Sequence, residues 1–106
     1  MLSNNAQGMI PQIKSFFTTQ PVEKAWIFGS YSRGEETPAS DVDILVRYKQ
    51  GERITLMTIA RMMVSLGDVL HKQVDLMEEG RLLPFAEESV EKDKILIYER
   101  ESHSSF

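Results

Sequence analysis

The chain has 106 residues, a hydrophobic content of 42% and a formal net charge of −4, and it contains no cysteine. This length and apolar content predict one soluble domain with one core. The lack of cysteine excludes disulfides and thiolate metal sites and is typical of a cytoplasmic protein. The polar, uncharged start and the lack of an apolar run of about eighteen residues predict neither a secretory signal nor a membrane span.

The acidic balance also limits the partners that we expect. Extended binding to nucleic acid depends on Lys and Arg residues that neutralise phosphates, and a negatively charged chain is poorly suited to it. An acidic protein can still bind a nucleotide if its carboxylates hold divalent cations, whose charge reverses the local electrostatics.

The first half of the chain predicts one helix, two strands and a short helical turn. Apolar residues at three- and four-residue spacing over Met9–Thr18 indicate an amphipathic helix, with Pro11 acceptable in its first turn. The apolar run Val22–Phe28 ends at a glycine, which is typical of a buried strand. Ser30–Arg33 then predicts a helical turn, and Asp41–Tyr48 predicts the second strand.

The second half predicts two more helices and two more strands. Ile54–Leu70 places its apolar residues on one helical face, and Gln73–Met77 predicts a third strand. Another helix is expected to begin at Pro84, and Ile95–Tyr98 predicts the last strand.

The alternation of these elements indicates the fold class. It predicts an α/β (α+β) fold, in which a small mixed β-sheet is flanked by helices. We expect a single domain over residues 1–106, with flexible tails at about 1–8 and 101–106.

Two carboxylates stand at the start of the second strand. Side chains alternate between the faces of a strand, so Asp41 and Asp43 point the same way while Val42 and Ile44 enter the core. Neighbouring like charges repel unless a cation lies between them, and oxygen ligands suit Mg²⁺ or Mn²⁺. The pair predicts a divalent metal site, although two solvated aspartates at an exposed strand end would give the same pattern.

A glycine and a serine follow the first strand directly. At Gly29 the absence of a Cβ lets backbone N–H groups approach a phosphate, and the Ser30 hydroxyl can add a hydrogen bond. The alternative is a plain turn into a helix with Ser30 as its N-cap. The segment between this turn and Asp41 is long enough to return an adjacent strand, so a phosphate site and a metal site could face each other.

A third carboxylate lies within the third strand. Asp75 has apolar neighbours, and an acidic residue is disfavoured in a strand unless it has a partner or a function. If this strand pairs beside the strand of Asp43, three carboxylates converge. An aspartate that points to solvent from an edge strand is the alternative.

These three motifs together resemble a known family. The segments FGSYSRG (28–34), SDVDILV (40–46) and VDL (74–76), in this order, are similar to the motifs of the DNA polymerase beta-like nucleotidyltransferase superfamily, and within it to the minimal nucleotidyltransferases. The resemblance covers nearly the whole chain, from the first helix to the last strand.

The resemblance implies roles for five residues. Gly29 and Ser30 would hold triphosphate oxygens, Asp41 and Asp43 would bind the metals, and Asp75 would complete the catalytic and metal-binding set. The family pattern implies two Mg²⁺ ions, with Mn²⁺ as a substitute, and an in-line transfer to a hydroxyl group.

Three neighbouring residues are less well defined by the resemblance. Arg33 would assist the phosphates, or it is a surface arginine near the loop. Ser32 replaces the usual alanine, a change that we expect to matter little, and the role of Tyr31 stays open.

The resemblance also implies an activity and a partner. We expect transfer of a nucleoside monophosphate, AMP from ATP or its equivalent from another nucleoside triphosphate, to a hydroxyl acceptor. Members of this size resemble antitoxins whose partner is a toxin with a HEPN domain (higher eukaryotes and prokaryotes nucleotide-binding), and a tyrosine of that toxin would be the acceptor. The alternative is an antitoxin that neutralises the HEPN protein by docking. An aminoglycoside-type transferase would need an additional helical domain, and a homo-oligomer is compatible with the sequence.

Overall fold

The computed structural model describes residues 2–100, and the predicted tail at 101–106 lies outside them. The α/β fold with a small mixed sheet and flanking helices is confirmed. Its elements in chain order are α1 (Asn4–Phe17), β1 (Val22–Phe28), α2 (Ser30–Arg33), β2 (Val42–Tyr48), α3 (Leu56–Leu70), β3 (Val74–Glu78), α4 (Pro84–Asp93) and β4 (Ile95–Glu99). Among the helices of residues 2–100, none is long and apolar enough to cross a lipid bilayer.

Helix α1 begins five residues earlier than the apolar pattern predicts. The prediction of a flexible tail over about 1–8 is therefore wrong for residues 4–8, which are helical. The Ser3 side chain caps the helix by accepting a hydrogen bond from the Ala6 backbone N–H at 3.1 Å. Ala6 is fully buried, so the polar first turn is held by the core. Pro11 lies inside the helix rather than in its first turn.

The sheet has the strand order β3-β2-β1-β4, with β2 and β3 parallel and the other two pairs antiparallel. Strand β2 therefore lies in the middle, between β1 and β3. Its register sets Asp43 opposite Phe28 on one side and opposite Asp75 on the other. This pairing brings together residues that are far apart in the sequence.

The two faces of the sheet are covered unequally. Helices α1 and α3 pack on one face and form the larger hydrophobic core with β-strand residues such as Ile27, Ile44 and Val46. The opposite face carries a smaller cluster, in which Val90 of α4 packs with Trp26, Phe28 and Leu45. Since side chains two residues apart in a strand share a face, Asp43 lies on the same face as Leu45. The carboxylates therefore occupy the more open side of the sheet.

Tyr31 offers a test of how this core is stabilised. Its side chain is fully buried, and its hydroxyl finds no hydrogen-bond partner among residues 2–100. We expect Tyr31→Phe to leave the free energy of unfolding unchanged or to raise it by about 1 kcal/mol, because a buried hydroxyl without a partner costs free energy. Tyr31→Ala should lower the free energy of unfolding by roughly 3–5 kcal/mol through the cavity that it leaves. Urea denaturation measures both, and a loss above about 1 kcal/mol in the Phe variant would contradict this account.

Candidate active site

The turn between β1 and α2 requires a glycine for two separate reasons. Gly29 has φ +72° and ψ −153°, a backbone conformation that residues with a Cβ rarely adopt. A Cβ at this position would also lie 2.5 Å from Oδ2 of Asp43. The register between β1 and β2, in which Phe28 is opposite Asp43, causes this close approach. The Asp43 carboxylate thus leaves no room for a side chain at position 29.

Gly29, and not Ser30, occupies the N-cap position of α2. The cap has no side chain, so no side-chain oxygen accepts a hydrogen bond from the first backbone N–H groups of α2. Ser32 makes the turn tighter, because its hydroxyl donates to the Gly29 carbonyl oxygen at 2.7 Å and its backbone N–H donates to the same oxygen. The sequence motif alone did not indicate this role for Ser32.

The strand pairing places the three predicted carboxylates at neighbouring positions in the sheet. Asp43 and Asp75 are direct partners on the parallel strands β2 and β3, and Asp41 immediately precedes β2. Asp43 is half-buried. Burial, followed by the negative charges of Asp75 and Asp41, raises the pKa of Asp43 to about 6, and the positive charge of Arg33 acts in the opposite direction.

The donor chemistry of this group fits a divalent cation. Carboxylate oxygens are the ligands of Mg²⁺ and Mn²⁺, and the pKa of Asp43 is raised first by burial and then by the charges of Asp75 and Asp41. Over residues 2–100, no three His, Cys, Asp or Glu side chains are close enough to form a metal-binding cluster. The strand pairing fixes the backbone positions of the aspartates. Their side chains would need to rotate toward a common ion to bind it together.

Arg33 is held by two acidic neighbours. Its Nε donates to Glu35 at 2.9 Å, and its Nη1 donates to Asp93 at the end of α4. The hydrogen bonds to Glu35 and then to Asp93 raise the pKa of the Arg33 guanidinium above its usual value. Arg33 therefore remains charged, but Glu35 and Asp93 largely neutralise its positive charge. The sequence pattern did not indicate Asp93, because this contact joins residues from distant parts of the chain.

A cavity of about 320 Å³ lies beside the glycine turn, between that turn and α4. A larger depression of about 740 Å³ lies near the C-terminal end of α3, with His71, Lys72 and Gln73 among its lining residues. Its lining includes neither the glycine turn nor the three carboxylates. The three carboxylates do not line the smaller cavity either, but Gly29 does, and on that ground we associate the smaller cavity with the candidate site.

Comparison with known proteins agrees with this arrangement. The model of the family "Polymerase beta, Nucleotidyltransferase" matches residues 11–103. A relative from Methanocaldococcus jannaschii, named "Putative protein adenylyltransferase", is 39% identical over 75 residues, which cover 71% of this chain and 73% of that protein. This chain therefore belongs to the polymerase beta nucleotidyltransferase family.

Solved structures share the fold. One described as a "putative minimal nucleotidyltransferase" has 29% identity and a TM-score of 0.72, covering 90% of this chain and 95% of its own. A toxin-antitoxin structure with AMP-PNP has 19% identity and a TM-score of 0.73, covering 87% of this chain and 74% of its own. A chain from a structure described as "tri-AMPylated Shewanella oneidensis HEPN toxin in complex with MNT antitoxin" has 18% identity and a TM-score of 0.67, covering 90% of this chain and 73% of its own. At their low identities, the last two show the shared fold alone.

The double constraint on Gly29 gives a prediction with a matched control. Gly29→Ala should cost more stability than Gly80→Ala, and we expect a loss of roughly 2–3 kcal/mol from backbone strain together with displacement of the Asp43 carboxylate. Gly80 has φ +86°, but no atom lies within 4 Å of the position that a Cβ would take there, so Gly80→Ala tests the backbone cost alone. Chemical denaturation of both variants measures the difference. Equal losses would show that the contact with Asp43 contributes nothing.

The raised pKa of Asp43 predicts that replacing this carboxylate with a neutral side chain increases stability, by an amount that depends on pH. The folded protein favours the protonated carboxyl, with a pKa of about 6 against an ordinary value of 3.8, so this group contributes more stability as the pH falls from about 6 toward about 4. Asp43→Asn should therefore raise the unfolding midpoint at pH 8, and the gain should shrink as the pH is lowered to 5. Asp68→Asn removes an exposed carboxylate on α3 and serves as the control in thermal melts. If the midpoint of Asp43→Asn exceeded that of the wild type by the same amount at every pH, the raised pKa of Asp43 would be contradicted.

Proposed function

We propose that this protein transfers AMP from ATP to a hydroxyl group, and that its acceptor is a tyrosine of a HEPN-type partner protein. The observation that carries the proposal is the close approach of the Asp43 carboxylate to Gly29, where a Cβ would lie 2.5 Å from Oδ2 of Asp43. Asp43 is itself paired in register with Asp75. A glycine turn suited to phosphate oxygens therefore adjoins a paired strand position whose carboxylates are of the kind that divalent cations prefer. This combination is the requirement for binding a nucleoside triphosphate with its metal.

The protein groups have separate roles in the proposed reaction. The backbone N–H groups at the Gly29-Ser30 turn and the Ser30 hydroxyl bind the β- and γ-phosphate oxygens. The acceptor oxygen attacks the α-phosphorus and forms a new P–O bond, while the bond from the α-phosphorus to the bridging oxygen breaks and pyrophosphate leaves. Asp75 orients the acceptor hydroxyl and takes its proton. Arg33 attracts the phosphates less strongly than a free arginine would, because it already forms ion pairs with Glu35 and Asp93.

Asp41 and Asp43 would hold two Mg²⁺ ions, with Asp75 completing the set, and Mn²⁺ is an acceptable substitute. When bound, the metal supplies positive charge that offsets the triphosphate and lowers the pKa of the acceptor hydroxyl. The raised pKa of Asp43 supports this assignment, because a bound cation would offset both the burial of this carboxylate and its repulsion by Asp75 and Asp41.

The choice of a protein acceptor is supported by the similar proteins. The M. jannaschii relative bears the name of a protein adenylyltransferase, and structural neighbours include an antitoxin in complex with a tri-AMPylated HEPN toxin. The site is on an open face of the sheet, which a protein surface can approach.

Docking without catalysis is a second candidate function, and one observation favours it. Helix α3 exposes large apolar side chains on its outer side, including Leu56 at 86% exposure, Met57 at 67% and Val64 at 64%. Large exposed apolar side chains of this kind are common where a protein binds a partner. Docking and transfer are compatible, since the partner must bind before its tyrosine can react.

Calorimetry with ATP and Mg²⁺ tests the proposal first. We expect ATP to bind only when Mg²⁺ is present, and we expect binding to be lost in the Asp41→Ala/Asp43→Ala variant, because the carboxylates hold the metal that neutralises the triphosphate. Asp68→Ala, which removes an exposed carboxylate elsewhere, should bind like the wild type.

The transfer itself is tested with a HEPN protein and labelled ATP. Label from the α-phosphate should enter the HEPN protein and label from the γ-phosphate should not, because pyrophosphate is the leaving group. If the HEPN protein binds and is inhibited without incorporating label, docking is the function and the transferase proposal is wrong.

A further inference from the structure

The cavity beside the glycine turn contains an aromatic residue that the core does not use. Its lining consists of Phe28, Gly29, Arg33, Phe85, Ala86, Ser89, Val90 and Asp93. The α4 members of this set recur at helical spacing, so one side of α4 faces the turn. Val90 is the α4 residue that packs into the sheet, whereas the Phe85 side chain is 76% exposed. Packing in the core therefore does not explain why an aromatic side chain stands at position 85.

The charges around the cavity make it a poor site for phosphate. Its cation, Arg33, is paired with Asp93 on the cavity wall and with Glu35 outside it. The rest of the wall is largely apolar, with Ser89 as a hydroxyl group. Such a surface suits a flat, weakly polar ring better than an anion, and ligand cavities of about 300 Å³ or more are common in proteins.

We propose that this cavity is a nucleobase pocket and that the base of the triphosphate stacks on the ring of Phe85. The proposal rests on the proposed function, because the phosphate chain must be held at Gly29 and Ser30. Gly29 belongs both to the cavity and to the contact with Asp43, so a ligand that spans the turn reaches both regions. Stacking on an aromatic side chain is tolerant of the base, and Ser89 can add a hydrogen bond to an edge of the ring.

Leu83 provides a matched control for Phe85. It immediately precedes α4 and is also an exposed apolar residue, at 63%, but it does not line the cavity. If Phe85 served a protein partner as part of an apolar surface, the two residues would behave alike. If Phe85 binds the base, only Phe85 should affect the free nucleotide.

The test compares Mg²⁺-ATP with Mg²⁺-tripolyphosphate, which has the phosphate chain but no nucleoside, by calorimetry on the full chain. Wild type should bind ATP more tightly than tripolyphosphate. Phe85→Ala should weaken ATP binding about tenfold, as expected for the loss of one stacking platform, and leave tripolyphosphate binding unchanged. Phe85→Trp should retain ATP binding, and Leu83→Ala should bind both ligands like the wild type.

Each other outcome overturns the proposal in a distinguishable way. Equal weakening of both ligands in Phe85→Ala would mean that Phe85 supports the turn rather than the base. No effect on either ligand, with reduced transfer to a HEPN protein, would make Phe85 a partner contact. If the wild type binds neither ligand, the proposed function fails as well.

Discussion

The contact between Gly29 and the Asp43 carboxylate is the constraint on which the candidate site depends. It requires β1 and β2 to pair in one register, and it requires a residue without a Cβ at the end of β1. The same strand β2 pairs with β3 on its other side, which adds Asp75. A shift of one residue in either register would turn a carboxylate to the opposite face of the sheet. Position and chemistry of the site thus follow from the pairing of three strands.

The two faces of the sheet differ in role, because one is buried in the core and the other carries the candidate site. Helices α1 and α3 bury one face and supply most of the hydrophobic core. The other face is only partly covered by the short helix α4, which leaves the carboxylates accessible. Burial of the Asp43 carboxylate, followed by the negative charges of Asp75 and Asp41, opposes folding, as the raised pKa of Asp43 shows. Charge clusters of this kind are typical of functional sites, since nothing in the fold itself requires them.

Local patterns predicted the elements well, and the differences have physical causes. The bounds of the strands agree within one residue, because their apolar runs end at residues that terminate pairing. The start of α1 was missed, because its first turn is polar and its helical state depends on the Ser3 cap and the burial of Ala6. The pairing of Arg33 with Asp93, and the cavity between α4 and the glycine turn, lie between segments that are distant in the sequence. Periodicity carries no information about such contacts.

The sequence by itself determined the identity of the chemical groups and their local geometry. A glycine after an apolar run, and aspartates at alternate positions, imply a turn with accessible N–H groups and carboxylates on one face of a strand. Only the tertiary structure decided that β3 pairs with β2, so that Asp75 joins Asp43, and that α4 lies beside the turn with Phe85 at its cavity. The physical reason is that strand order and helix placement depend on which apolar faces bury one another, a property of the whole chain and not of any one segment.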